Sequence, residues 1–120
     1  EPFYNVFGSG EDGDPDAENI AEDLNARIVD FVSNADLVVW DAQYTPAEYK
    51  VKQGWGHTST IQCMDMGIKA NVKHLVYTHH DPCRTDAQLD KILDDSRDYL
   101  KEKGSSMLVS GATEGVTIEL

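Results

Sequence analysis

The sequence predicts an α/β domain, with a mostly parallel or mixed sheet and helices on its flanks. Two apolar runs of strand length, residues 37–40 and 74–78, alternate with longer stretches whose apolar residues recur every three or four positions. The connections between them are short, as in αβ units. Both strand runs end on residues with ligand chemistry, Asp41 after the first and His79-His80 after the second. In such sheets ligands and metals collect at the carboxyl ends of strands.

Residues 1–16 read as an acidic, turn-rich loop, with Gly8-Ser9-Gly10 followed by Glu11-Asp12-Gly13-Asp14-Pro15-Asp16. They lack the spacing of a calcium helix-loop-helix. From Ala17 to Val32, Ile20, Leu24, Ile28 and Phe31 define one face of an amphipathic helix, with acids near its N-terminus where the dipole favours them. Ser33-Asn34 ends it, and a strand over 36–40 follows at once. Thr45-Pro46-Ala47-Glu48 predicts a helix start, with a capping threonine, proline at the first helical position and an acid in the first turn. Gly54-Trp55-Gly56 is a turn in which two glycines permit close backbone approach.

Thr58 or Ser59 caps the next helix, whose apolar face is Ile61, Met64 and Ile68, with Asn71 as its stop. The strand His74–Thr78 leads into a His-His-Asp-Pro turn. A long helix over 86–103 carries Leu89, Ile92, Leu93, Ser96, Tyr99 and Leu100 on one face and ends at Gly104. Asp86 reads as its cap. Two closing strands are expected at 107–109 and 116–120, the last of them antiparallel if it reverses around 111–115.

At 120 residues the chain suffices for one domain with a core. Its 22 acidic and 10 basic residues give a net charge of −12. Such a surface repels phosphate backbones and anionic membranes, which argues against nucleic-acid partners and membrane docking. A small phosphorylated substrate stays admissible at a metal, which supplies local positive charge. Cys63 and Cys83 form no CxxC pair and predict free thiols in a cytoplasmic setting. No apolar run reaches the ~20 residues that span a bilayer. The opening Glu1-Pro2-Phe3 suits a processed or excised piece.

Asp41 is the strongest candidate for chemistry, since a carboxylate at a strand end can bridge two divalent cations; a turn residue capping Gln43-Tyr44 is the equal alternative. His79 offers imidazole, the commonest transition-metal ligand, with Asp81 close in sequence to hold its second nitrogen. In extended backbone His80 leaves on the opposite side. His57, between a glycine turn and a helix start, suits a proton donor to a leaving group or a stabiliser of a developing oxyanion; a hydrogen bond to a neighbouring loop is the plainer role. Trp40, Tyr44 and Trp55 read as packing around the site, and His74 as a bystander.

Taken together, residues 41–49 (Asp-Ala-Gln-Tyr-Thr-Pro-Ala-Glu-Tyr), 54–59 (Gly-Trp-Gly-His-Thr-Ser) and 75–82 (Leu-Val-Tyr-Thr-His-His-Asp-Pro), followed by Asp86, resemble the C-terminal half of metallo-β-lactamase-fold hydrolases. The nearest group is the ribonuclease Z-like and cyclic-phosphodiesterase-like branch. The resemblance covers about residues 34–103, with three motifs in family order. It implies that residues 17–120 are half of an αββα sandwich. It also implies that Asp41 bridges two metal ions, that His79 is the last histidine ligand and that His57 assists the leaving group. His80 and Asp81 would support the ligands from behind. The implied chemistry is phosphodiester hydrolysis by a hydroxide bridging two divalent ions, zinc foremost, with manganese or iron as alternatives.

The family's His-x-His-x-Asp-His motif is absent, as is the further histidine ligand before Asp41, so only two of about seven ligand positions are present. This predicts a fragment that is inactive alone and that dimerises or pairs with a missing N-terminal half. Two rival readings are a receiver-like acidic signalling module, with Asp41 as phosphoacceptor, and a non-catalytic scaffold half-domain.

Overall fold

A computed structural model describes residues 15–120; the expected acidic loop lies largely outside the described residues, although helix already begins at Pro15. The order is α1 (Pro15–Val32), β1 (Val38–Asp41), α2 (Pro46–Lys52), α3 (Thr60–Lys69), β2 (His74–Thr78), α4 (Asp86–Glu102) and β3 (Leu108–Gly111). The three strands form one parallel sheet in the order β1-β2-β3. This is a small α/β domain of four helices and a three-stranded sheet among the described residues. None of its helices is long and apolar enough to cross a membrane.

Capping sets where the helices begin. Thr45, Ser59 and Thr85 each accept from the backbone three residues on, while Glu48, Gln62 and Gln88 reach back to the cap. Each box satisfies two backbone donors that a helix start leaves open. At the start of α4 the cap is therefore Thr85, and Asp86 is the first helical residue, where its charge meets the positive end of the helix dipole. Asn71 ends α3 in the left-handed region at φ 55°, and Gly104 follows α4 at φ 67°.

Side chains alternate across the sheet. Trp40, Leu75, Tyr77 and Val109 face the helices and build the core with Cys63, Met64 and Leu100. Gly67 lets α3 lie against Met107: a β-carbon there would sit 2.8 Å from the Met107 sulfur. On the opposite face Val76 of the central strand is buried, while the edge-strand residues Val39 and Leu108 are 58% and 64% exposed.

Two expectations about elements need correction. On α1, Ile20 and Phe31 are 60% and 90% exposed, and the buried stripe is Val29 flanked by Ile28 and Val32. Only the last turns of α1 meet the core, so the buried stripe is rotated from the one the spacing indicated. Residues 116–120 form no strand, although Val116, Ile118 and Leu120 alternate with polar residues. Alternation supplies a two-sided segment but not the ladder partner that makes it a strand, and Val116 and Leu120 remain exposed.

Candidate metal centre

Because all three strands run the same way, their carboxyl ends meet along one edge, where Asp41 is in register with Thr78 and Tyr77 with Gly111. Asp41 closes β1, and the next residues turn so that Ala42 N–H donates to Thr78 O at 3.2 Å. The chain then forms a parallel bridge between Tyr44 and Ser59, with Tyr44 N–H on Thr58 O and Thr60 N–H on Tyr44 O. That bridge draws the Gly54–Gly56 turn and His57 back over the end of β1.

The Asp41 carboxylate is the hub. Its Oδ1 accepts from Gln43 N–H at 3.3 Å and Thr58 N–H at 3.4 Å. Its Oδ2 lies 2.8 Å from His57 Nδ1 and 3.3 Å from His79 Nδ1. Behind it, the Cys63 thiol donates to the Asp41 carbonyl at 3.2 Å, so α3 also holds this residue. Burial, reinforced by the nearby Asp41 charge, pushes the Cys63 thiol well up. The two imidazoles stack at 4.6 Å between centroids with 22° between planes, and Tyr44 meets the His57 ring edge-on at 5.7 Å. Asp41 and His57 side chains are 28% and 27% exposed and His79 56%, so the group opens to solvent at His79.

His79 reaches this position through its backbone. Its φ of 58° lies in the left-handed region, which a residue with a β-carbon adopts at a cost. That turn ends β2 and sends the two adjacent imidazoles to different places. His79 joins Asp41, while His80 Nε2 lies 3.4 Å from Ala112 O beyond the end of β3. Asp81 accepts from Cys83 N–H at 3.0 Å and pairs with Lys52 at 3.5 Å, so among the described residues its carboxylate is engaged there and not by His79. His74 meets Ser110 across the outer face of the sheet. Trp40 and Tyr44 are buried as packing residues, but Trp55 is 68% exposed on its turn.

The donor set suits a divalent ion. One ligand atom each from Asp41, His57 and His79 lie within 4.8 Å of one another. Two ligand atoms about 2.1 Å from a tetrahedral ion stand roughly 3.4 Å apart, close to the Asp41–His79 separation of 3.3 Å. The 2.8 Å Asp41–His57 contact is instead a hydrogen-bond distance. Asp41 Oδ2 is therefore the shared partner of both imidazoles, nearer to His57 than to His79.

Two contributors were not singled out from sequence. Thr58 supplies a backbone donor to Asp41 and is buried, and its position beside His57 was a usable signal. Arg84 donates to Gln43 O at 3.0 Å and pairs with Glu48 at 2.9 Å, which ties the segment after Asp41 to the turn after β2. A lone arginine before a helix cap carries no spacing signal.

No protein-family model matches this chain, and no curated protein matches it either.

Proposed function

We propose that this chain is the C-terminal half of a metal-dependent hydrolase of the metallo-β-lactamase fold that acts on phosphodiesters. The observation that carries the reading is the meeting of Asp41, His57 and His79 from three separate segments at the carboxyl edge of a parallel sheet. A packing role alone gives no reason for one carboxylate to gather two stacked imidazoles at an open edge.

Asp41 and His79 would hold the metal, and a carboxylate–imidazole pair suits zinc, with manganese or iron as alternatives. Bound divalent ions supply Lewis acidity and neutralise charge that develops on a phosphoryl group. The chain's own contribution is orientation and proton placement. Asp41 receives Nδ1–H of His57 and so fixes that ring's tautomer. Nε2 then points away from the carboxylate, where it can hand a proton to a leaving oxygen. The Tyr44 edge and the His79 face hold the same ring against rotation.

Catalytic ions usually take about three protein ligands each. Two ligands leave the centre incomplete, and the remainder would come from a companion half. Calorimetric titration with zinc is expected to show weak binding to the chain that is lost in Asp41→Asn and in His79→Ala. Bis(p-nitrophenyl) phosphate with added zinc or manganese is expected to show no turnover by the chain alone. Clear turnover would refute the half-site reading, and zinc binding indifferent to Asp41→Asn would refute the assignment of the centre.

A further inference from the structure

The sheet ladder stops short of one of the two ligand-type residues. Its last rungs between β1 and β2 are the register of Asp41 with Thr78 and the bond from Ala42 N–H to Thr78 O at 3.2 Å. His79 lies one residue beyond, in left-handed backbone and with its side chain 56% exposed. The ladder therefore does not fix how far its ring stands from Asp41. Arg84 spans that gap. Its Nη2 donates to Gln43 O at 3.0 Å and pairs with Glu48 Oε2 at 2.9 Å. Gln43 N–H in turn donates to Asp41 Oδ1 at 3.3 Å, so Gln43 is held by the carboxylate on one side and by the guanidinium on the other.

On its own side Arg84 belongs to a closed turn. Its N–H donates to Asp81 O at 2.9 Å, and Cys83 N–H donates to Asp81 Oδ1 at 3.0 Å. That turn begins two residues after His79, so anchoring Arg84 anchors the segment that carries the imidazole. A second pair adds to it. Glu48 and Lys52 stand one helical turn apart on α2, and they meet Arg84 and Asp81 respectively, the second pair at 3.5 Å. Sliding the turn along α2 by one helical turn would oppose like charges, so the charge order admits one placement. The two pairs differ in burial: the Arg84 side chain is 9% exposed and that of Lys52 31%. Drawing a guanidinium out of water costs free energy that an apolar side chain of similar length does not incur. Adhesion between α2 and the turn is thus a poor account of this arginine. Direction is the better one, since a nitrogen shared by a carbonyl and a carboxylate fits one position.

We propose that Arg84 is the positioning residue of the centre: by fixing the turn after β2 against Gln43 and Glu48, it sets the separation of Asp41 and His79. The proposal rests on the reading of those two residues as metal ligands. Arg84 itself touches no ligand atom and acts through Gln43 on one side and the 81–84 turn on the other. The stacked imidazoles report the result without any metal. His57 stays with Asp41 through its 2.8 Å contact, whereas His79 moves with the turn, so their 4.6 Å stacking measures how the two segments sit.

The test compares the whole chain with Arg84→Met, which keeps the length of the stem and removes the donors. Arg84→Lys keeps the charge but ends one bond short of the guanidinium nitrogens. Tyr99→Phe serves as the control, since it removes the Tyr99–Asp65 bond between α3 and α4 and touches nothing at the centre. Two quantities are read: the NMR contact between the His57 and His79 ring protons with chelator present, and zinc affinity by calorimetry. Arg84→Met is expected to lose the ring contact and to bind zinc roughly tenfold more weakly. Arg84→Lys is expected to fall between it and the wild type, and Tyr99→Phe to match the wild type in both. If Arg84→Met does not fold, Arg84→Lys decides. A ring contact and zinc affinity unchanged in the Arg84 variants would overturn the proposal, and so would equal losses in Tyr99→Phe, which would mark a general loosening of the fold. If the wild-type chain binds no zinc, the reading of the centre fails, and the ring contact alone then decides whether Arg84 places His79 beside Asp41.

Discussion

At the scale of single residues, His79 carries a conformational cost in the turn that ends β2 and sets its ring beside Asp41. Left-handed backbone disfavours residues with a β-carbon by about 1 kcal/mol, and glycine there gains that back while losing a similar amount to chain entropy. His79→Gly is therefore expected to shift the stability measured by urea unfolding by less than about 1 kcal/mol while removing zinc binding. A large loss of stability would instead make His79 a structural residue. The cysteines differ as sharply. Cys63 is fully buried, with its thiol held protonated by burial and by the Asp41 charge, whereas Cys83 is exposed. Iodoacetamide is expected to label Cys83 in the native chain and Cys63 only in denaturant, as read by peptide mass; native labelling of Cys63 would show that α3 opens at the hub.

At the scale of elements, the short helix α2 depends on Glu48, which closes the capping box with Thr45 and pairs with Arg84. Burial by itself would raise the Glu48 carboxyl, but the Thr45 N–H and the Arg84 guanidinium outweigh it and hold the group below its ordinary value of 4.5. A carboxyl depressed in the folded state stabilises fully above its unfolded value, and that contribution disappears as pH falls through the folded value. Glu48→Gln keeps an acceptor for the cap but loses the charge. It is expected to cost about 1 kcal/mol at pH 7, kept small because the carboxylate is partly solvent-screened. The deficit against wild type should shrink toward zero below pH 4.5, read as the gap between two thermal unfolding curves. A gap constant with pH would mean that shape, not charge, is what Glu48 contributes.

At the scale of the whole molecule, the described residues leave one face of a parallel sheet with exposed Val39 and Leu108, although parallel sheets are ordinarily covered on both faces. The chain is expected to self-associate through this face at high concentration. Association should strengthen with salt, which screens the repulsion of a −12 surface. Val39→Lys with Leu108→Lys should return it to monomer in sedimentation equilibrium. A monomer at every concentration and salt would mean that the face needs a different cover.

The sequence by itself determined the four helices and the first three strands, because these rest on local physics. Helical spacing, the Thr45-Pro46 helix start with its acid in the first turn, and two apolar strand runs are each complete within a few residues. It also placed Asp41 at a strand end and pointed to His57 and His79, since ligand-type side chains beside glycine turns are visible in the chain itself. The tertiary structure decided what depended on partners distant in sequence. Residues 116–120 alternate like a strand but have no ladder, and α1 turns a different stripe inward because only its last turns meet the sheet. The division between His79 and His80 follows from one left-handed residue, and nothing in a His-His pair states which ring turns toward Asp41. That His57 lies 2.8 Å from a carboxylate sixteen residues away is likewise a product of the Tyr44–Ser59 bridge, because local spacing cannot encode a meeting that the sheet edge creates.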